Sequence, residues 1–138
     1  VTVGRNRSTR PASLCAVLTL AGALLAVLII AVATAKAGAR ERKVTVMSEL
    51  VMQWPRRFRA EALQVIACET GNSFTPFAVG GGGLYYGLFQ QGAWQRRTFG
   101  FDWTIRGQVK SGWRAFRANG YCWTCSSQWP VCGRGLDG

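Results

Sequence analysis

Glu69 is the residue of this 138-residue chain whose type and position point most directly at chemistry. Phe58, Ala62, Val65, Ile66 and Glu69 follow one another at spacings of 4, 3, 1 and 3, so the carboxylate extends the apolar stripe of a helix expected from Pro55 to Thr70. A carboxyl at the buried end of such a stripe loses solvent, its pKa rises, and it can hold a proton near neutral pH, as a general acid must. The same position would also suit a carboxylate that caps local backbone or pairs with an arginine at the helix end. The chain has no histidine. That excludes Ser-His-Asp and Cys-His nucleophiles, His-ligated zinc and His-based proton shuttles, and leaves acid-base work to a carboxylate, Lys, Tyr or Cys.

Two further clusters carry chemical potential. Gly80 to Gly83 form a four-glycine run followed by Leu84-Tyr85-Tyr86-Gly87-Leu88-Phe89-Gln90-Gln91. The run lacks both the spacing and the following Lys of a phosphate-cradling loop, so it is expected to be a flexible turn. The aromatic and amide groups after it suit stacking on, and hydrogen bonding to, sugar rings, and equally suit a short β-hairpin packed on a core. Near the C-terminus stand Cys122-Trp123-Thr124-Cys125 and Trp129-Pro130-Val131-Cys132. With Cys68 these could make a four-thiolate zinc site, but such sites normally use two close ligand pairs and only one is present. No metal or cofactor is expected. A Cys68–Cys132 bridge would tie the first helix to the chain end, and Cys122 could pair with Cys125 or stay reduced; a long bridge is worth about 2–4 kcal/mol to so small a core.

The elements that must position these residues are few. A second helix is expected from Thr104 to Asn119, with Ile105, Val109, Trp113 and Phe116 on one face and Arg106, Lys110, Arg114 and Arg117 on another. Asp102 or Thr104 can cap its start and Gly120 can end it. Upstream, Arg5, Arg7 and Arg10 precede an uncharged apolar run from Pro11 to Ala35, followed by small-residue tracts such as Ala37-Gly38-Ala39. This is the pattern of an export signal, and the run is also long enough for an uncleaved membrane anchor, which needs about 20 apolar residues. Cys15 within the run is expected to be a small buried residue. Four cysteines in the following segment agree with an oxidising, exported setting.

The chain carries a formal charge of +11, and from Val44 onward ten basic residues stand against five acidic ones, a balance of about +5. Such a domain is drawn to polyanions, although basic residues also serve simply to keep a small domain soluble. Length excludes a two-domain enzyme.

Taken in order, Ala67-Cys68-Glu69-Thr70-Gly71-Asn72, then Gly87-Leu88-Phe89-Gln90 with Trp94, then an amphipathic helix and Trp129-Pro130-Val131-Cys132 resemble the lysozyme-like superfamily. The resemblance is closer to the soluble lytic transglycosylase and resuscitation-promoting factor group, whose domains cut bacterial peptidoglycan, and it covers about residues 54–133. It implies that Glu69 is the single catalytic acid, with Thr70 in the place of the family's serine. It also implies that Gly87, Leu88 and Gln90, with Tyr86 as a neighbour, line the sugar groove, and that Cys68 and Cys132 form the family's bridge. The family's Ala-Tyr-Asn motif has no counterpart, and Cys122-Trp123-Thr124-Cys125 has none in the family.

The scarcity of carboxylates agrees with that chemistry. A two-carboxylate glycosidase needs its groups about 5–9.5 Å apart, but Glu61 lies roughly 12 Å from Glu69 along a helix axis, and Asp102 is better suited to capping. A lytic transglycosylase needs one acid, because the muramoyl 6-hydroxyl replaces water and gives a 1,6-anhydro product.

The sequence thus leads to a mainly α, lysozyme-like α+β domain with a short β or irregular element around Gly80–Gln91, preceded by an N-terminal hydrophobic helix. The expected division is a signal peptide or transmembrane anchor over 1–39, a linker over 40–53, the catalytic domain over 54–133 and a tail over 134–138. The expected partners are peptidoglycan glycan strands, the membrane if the N-terminal segment stays uncleaved, and an envelope, phage or secretion apparatus. The competing expectations are a domain that binds glycan without cutting it and a basic nucleic-acid-binding protein; export and the lack of a recognised motif weigh against the second.

Overall fold

The computed structural model describes residues 13–125 and 128–136. Arg5, Arg7 and Arg10, on which the export reading partly rests, lie outside the described residues, as do the side chains of residues 13–24 and 26. The chain is mainly helical: α1 (Ser13–Gln53), a single 3₁₀ turn (Arg56–Phe58), α2 (Arg59–Glu69), β1 (Val79–Gly80), β2 (Tyr85–Tyr86), α3 (Ala93–Phe99) and α4 (Ile105–Ala118). It separates into two units between Lys36 and Ala37.

The first unit contains the early turns of α1, where Leu25, Val27, Leu28, Ile29 and Ile30 are exposed. Among the described residues no helix is long and apolar enough to cross a membrane.

In the second unit the segment expected as a linker, residues 40–53, is instead helical. Val46 and Leu50, four residues apart and therefore on one helix face, are fully buried in the core, and Arg42 Nε donates to the Ser73 carbonyl at 2.9 Å. A solvated linker would leave both apolar side chains in water; their burial makes this stretch part of the folded unit. Trp54, which follows the helix, is the hub. Its ring lies parallel to Phe89 and Trp123, with centroids 5.7 and 5.9 Å away, and its Nε1 donates to the Val109 carbonyl at 3.0 Å.

Helix α2 begins after Pro55 through the 3₁₀ turn, buries Ala62, Val65 and Ile66, and stops where Gly71 turns left-handed at φ 56°. These are the stripe and the stop expected from the sequence. Helix α4 likewise follows expectation. Thr104 Oγ1 accepts from the Gly107 amide at 3.0 Å, Asp102 Oδ1 accepts from the Thr104 amide at 2.7 Å, and Gly120 at φ 70° ends the helix. Helix α3 was not expected; Phe99 is its buried residue.

Two glycines on α4 admit close neighbours: a Cβ at Gly112 would run into the Phe89 ring, and one at Gly107 into the Asp102 carboxylate. Three tryptophans, Trp54, Trp123 and Trp129, are buried, and each indole finds an acceptor, as buried indoles should. Trp123 donates to Glu61 Oε2 at 2.9 Å and Trp129 to the Phe89 carbonyl at 3.0 Å. The expected C-terminal tail also contributes, since Leu136 packs against the core.

Strands β1 and β2 pair antiparallel with Val79 opposite Tyr86 and Gly80 opposite Tyr85, and Tyr86 also bridges to Gln91. The connecting glycines 81, 82 and 83 all have φ between 56° and 93°, and the Gly83 and Leu84 amides both donate to the Gly80 carbonyl. Three successive left-handed residues are tolerated only by glycine.

Candidate active site

Glu69 is the last residue of α2 and stands half-buried in the wall of an open cleft of about 430 Å³. The cleft is also lined by Gly80, Gly81 and Tyr85 of the hairpin, by Gln90, and by the C-terminal strip of Gln128, Pro130, Val131 and Cys132. The disulfide between Cys68 and Cys132, with Cα atoms 5.6 Å apart, holds that strip beside the helix end. The helix that carries the acid and the C-terminal wall of the cleft are therefore covalently linked through the residue next to Glu69. A second disulfide closes Cys122–Cys125. Among the described residues no group of three potential metal ligands occurs, and all four of these cysteines are consumed in bridges.

Burial raises the Glu69 pKa from its ordinary 4.5 to about 7. Among the described residues its carboxylate has neither a hydrogen-bond donor nor a cation against it, so nothing offsets the loss of solvent. Among the described residues Glu69 has no partner for the capping or ion-pairing roles that its position also suits. The helix end is closed instead by Thr70, whose Oγ1 donates to the Ile66 carbonyl at 2.7 Å and accepts from the Phe74 amide at 3.1 Å.

The remaining expected groove residues divide sharply. Gln90 reaches the cleft; its Nε2 donates to the Gly87 carbonyl at 2.9 Å, and its backbone is left-handed at φ 45°, a conformation that costs a non-glycine residue about 1–3 kcal/mol. Its amide oxygen lies so close to Gly80 that a Cβ there would collide with it. Thr70, Gly87 and Leu88 do not line the cleft. Thr70 is buried behind the acid, Leu88 is fully buried in the core, and Gly87, at φ 81°, is packed against Gln108 and Phe101. Tyr86 points to the other side of the hairpin, where it meets Trp103 edge-on and Arg96 lies 4.5 Å from its ring centroid.

Tyr85 takes the place foreseen for Tyr86, because successive side chains of a strand face opposite sides. Its ring lies against Gly81 and Gly92, neither of which could carry a Cβ without meeting a neighbour. Gly80 opposite Tyr85, with Gly81 against its ring, is the feature that makes this room.

A buried amide holds both loops that flank the site. Gln108 of α4 donates from Nε2 to the Pro76 carbonyl at 2.9 Å and accepts from the Leu88 amide at 2.8 Å. Asp102, the second carboxylate considered, is occupied at the start of α4, accepting from both the amide and the hydroxyl of Thr104, and does not line the cleft. Glu61 is engaged with Trp123.

The cleft thus offers one carboxyl able to be protonated at neutral pH, an amide, a phenol, and no second carboxylate among the described residues. Protein-family models, curated proteins and solved structures provide no match to this chain.

Proposed function

We propose that the chain is a lytic transglycosylase that cleaves peptidoglycan glycan strands between N-acetylmuramic acid and N-acetylglucosamine. The observation that carries this reading is a lone half-buried carboxyl with a pKa of about 7, facing an open cleft that no other described carboxylate lines. In the proposed reaction Glu69 protonates the glycosidic oxygen as the bond to the anomeric carbon breaks. The resulting carboxylate then takes the proton of the muramoyl 6-hydroxyl as that oxygen bonds to the same carbon, closing the 1,6-anhydro ring and restoring the acid. Tyr85 and Gln90 supply a stacking face and an amide for the sugars.

Export through the N-terminal segment, as a signal or an anchor, belongs to the same proposal and is supported by the two disulfides.

The deciding experiment is digestion of purified peptidoglycan by the full chain and by Glu69→Gln, with products identified by mass spectrometry. Anhydromuramoyl products that vanish in the variant support the proposal. Reducing-end muramoyl products would instead make the protein a hydrolase and require a second carboxylate. Binding without any product would leave a glycan-binding module.

A further inference from the structure

Two recesses that share lining residues connect the Glu69 cleft to a cationic pocket at the ends of α3 and α4. Gln128, which lines the cleft, also lines a recess of about 150 Å³ together with Trp94 and Phe99 of α3, Ala115 and Ala118 of α4, and Asn119. Phe99 and Ala118 in turn line a second recess of about 440 Å³, which Arg114, Arg117 and Tyr121 complete. Side chains along this trough tie the two helices together. Trp94 stands edge-on to Phe99 at 87° with centroids 5.7 Å apart, and Arg114 Nη1 donates to the Phe99 carbonyl at 3.1 Å. Arg117 is placed one turn further along α4, its guanidinium carbon 5.9 Å from the Trp113 ring centroid. No carboxylate among the described residues lines either recess, so neither guanidinium has its charge met there.

We infer that this trough receives a carboxylate-bearing peptide branch of the glycan strand, with Arg114 and Arg117 binding its carboxylates; this rests on the glycan-cleaving reading above, in which the muramoyl sugar at the cleft carries that branch. Two observations select the occupant. The first is continuity: because the cleft and the first recess share Gln128, a substituent of a sugar held beside Glu69 has a path toward the arginines. The second is the placement of charge. The recess next to the cleft holds no charged residue, and the cations stand only in the one beyond it. A polyanion that bears a charge on every unit is matched by cations along its whole track. A short peptide differs, because its neutral backbone amides suit Asn119 and Gln128, and carboxylates at its far end suit guanidiniums, which bind them through paired N–H donors.

The test measures binding by the full chain in a zwitterionic, sugar-free detergent, in a Glu69→Gln background so that strands stay intact. Three probes are compared: glycan strands with their peptide stems, the same strands with the stems removed by an amidase, and stem-bearing strands whose carboxylates are converted to carboxamides. Stripped strands keep a lactyl carboxylate on each muramoyl unit, so they control for charge alone. Arg117→Gln is expected to weaken binding of stem-bearing strands about tenfold, to leave binding of the other two probes unchanged, and to keep the parent circular dichroism. Arg114→Gln should act in the same direction, and Arg117→Lys should retain only part of the affinity, because an ammonium lacks the fork of a guanidinium. Unchanged binding of stem-bearing strands in Arg117→Gln overturns the inference, as does an equal loss for stripped strands. Arg117-dependent binding of phosphatidylglycerol vesicles or duplex DNA that is tighter than binding of stem-bearing strands overturns it in favour of a polyanion. Digestion of sacculi by the Glu69-intact chain keeps the two proposals apart. Anhydro products with no Arg117 effect on stem binding sink this inference alone, whereas Arg117-dependent stem binding with no products sinks the cleavage reading alone.

Discussion

Replacing Glu69 by Gln should make the protein more stable at high pH and leave its stability at low pH almost unchanged relative to the parent. The carboxyl titrates at about 7 in the folded chain and near 4.5 when exposed. Below 4.5 both states carry the proton, so the charge of Glu69 contributes nothing. Between these values the unfolded state gives up its proton while the folded state keeps it, so the unfolded state binds fewer protons and stability falls as pH rises. Above 7 the loss is complete. Unscreened, the full shift corresponds to an upper bound of about 3 kcal/mol. A half-buried carboxyl keeps much of its contact with water, which reduces the cost to about 1–2 kcal/mol. Denaturant melts of parent and variant at intervals from pH 4 to pH 9 measure this directly, provided the difference between them is followed so that any constant effect of the amide cancels. The variant's advantage should grow through pH 4.5–7 and then level off. A difference that is flat with pH, or that shrinks as pH rises, would refute the desolvated acid. On the activity side, cleavage should fall along an alkaline limb centred near pH 7 as Glu69 loses its proton, read from the pH dependence of kcat/KM.

Removing the long bridge by Cys68→Ser with Cys132→Ser opens a loop of 64 residues and should cost up to about 4 kcal/mol, seen as a lower denaturant midpoint; product formation should fall further than the unfolded fraction accounts for, because the cleft wall is released. Gln108→Ala strands the Leu88 amide and the Pro76 carbonyl and should cost about 2–4 kcal/mol in a melt. Gly112→Ala pushes a methyl into the Phe89 ring and should cost about 1–3 kcal/mol, whereas alanine at Gly80 meets only the end of the Gln90 side chain and should leave stability nearly intact while reducing glycan cleavage.

The helices that carry the acid were legible because their signals are local. The stripe ending at Glu69, the stop at Gly71, the Asp102 and Thr104 caps and the Gly120 stop all act within a few residues, and the structure uses each of them. Residues 40–53 read as a linker because Val44, Val46, Met47, Leu50, Val51 and Met52 are spread around the helix, and only the packing of Val46 and Leu50 with Trp54 distinguishes the internal face from the exposed one. Helix α3 escaped because its single buried residue, Phe99, gives no periodicity. Gln108 escaped for a different reason. A glutamine in an amphipathic helix reads as solvent-facing unless its two backbone partners are known, and those come from loops 32 and 20 residues away.

The same limit explains the groove. Spacing can bring Tyr85 through Gln90 to one place, but it cannot say which tyrosine faces the acid until the strand register is fixed, and a one-residue change of register exchanges the two faces. Here the register is set by Gly80 opposite Tyr85, where the missing side chain leaves room for the Gln90 amide. Glycines that look like mere flexibility in the sequence therefore decide the site's chemistry. They let the hairpin close against Gln90, place one tyrosine beside Glu69, and turn the other toward Trp103. With the C-terminal wall held by the Cys68–Cys132 bridge, the acid is half-buried in the cleft with no charged partner among the described residues, and that burial raises its pKa.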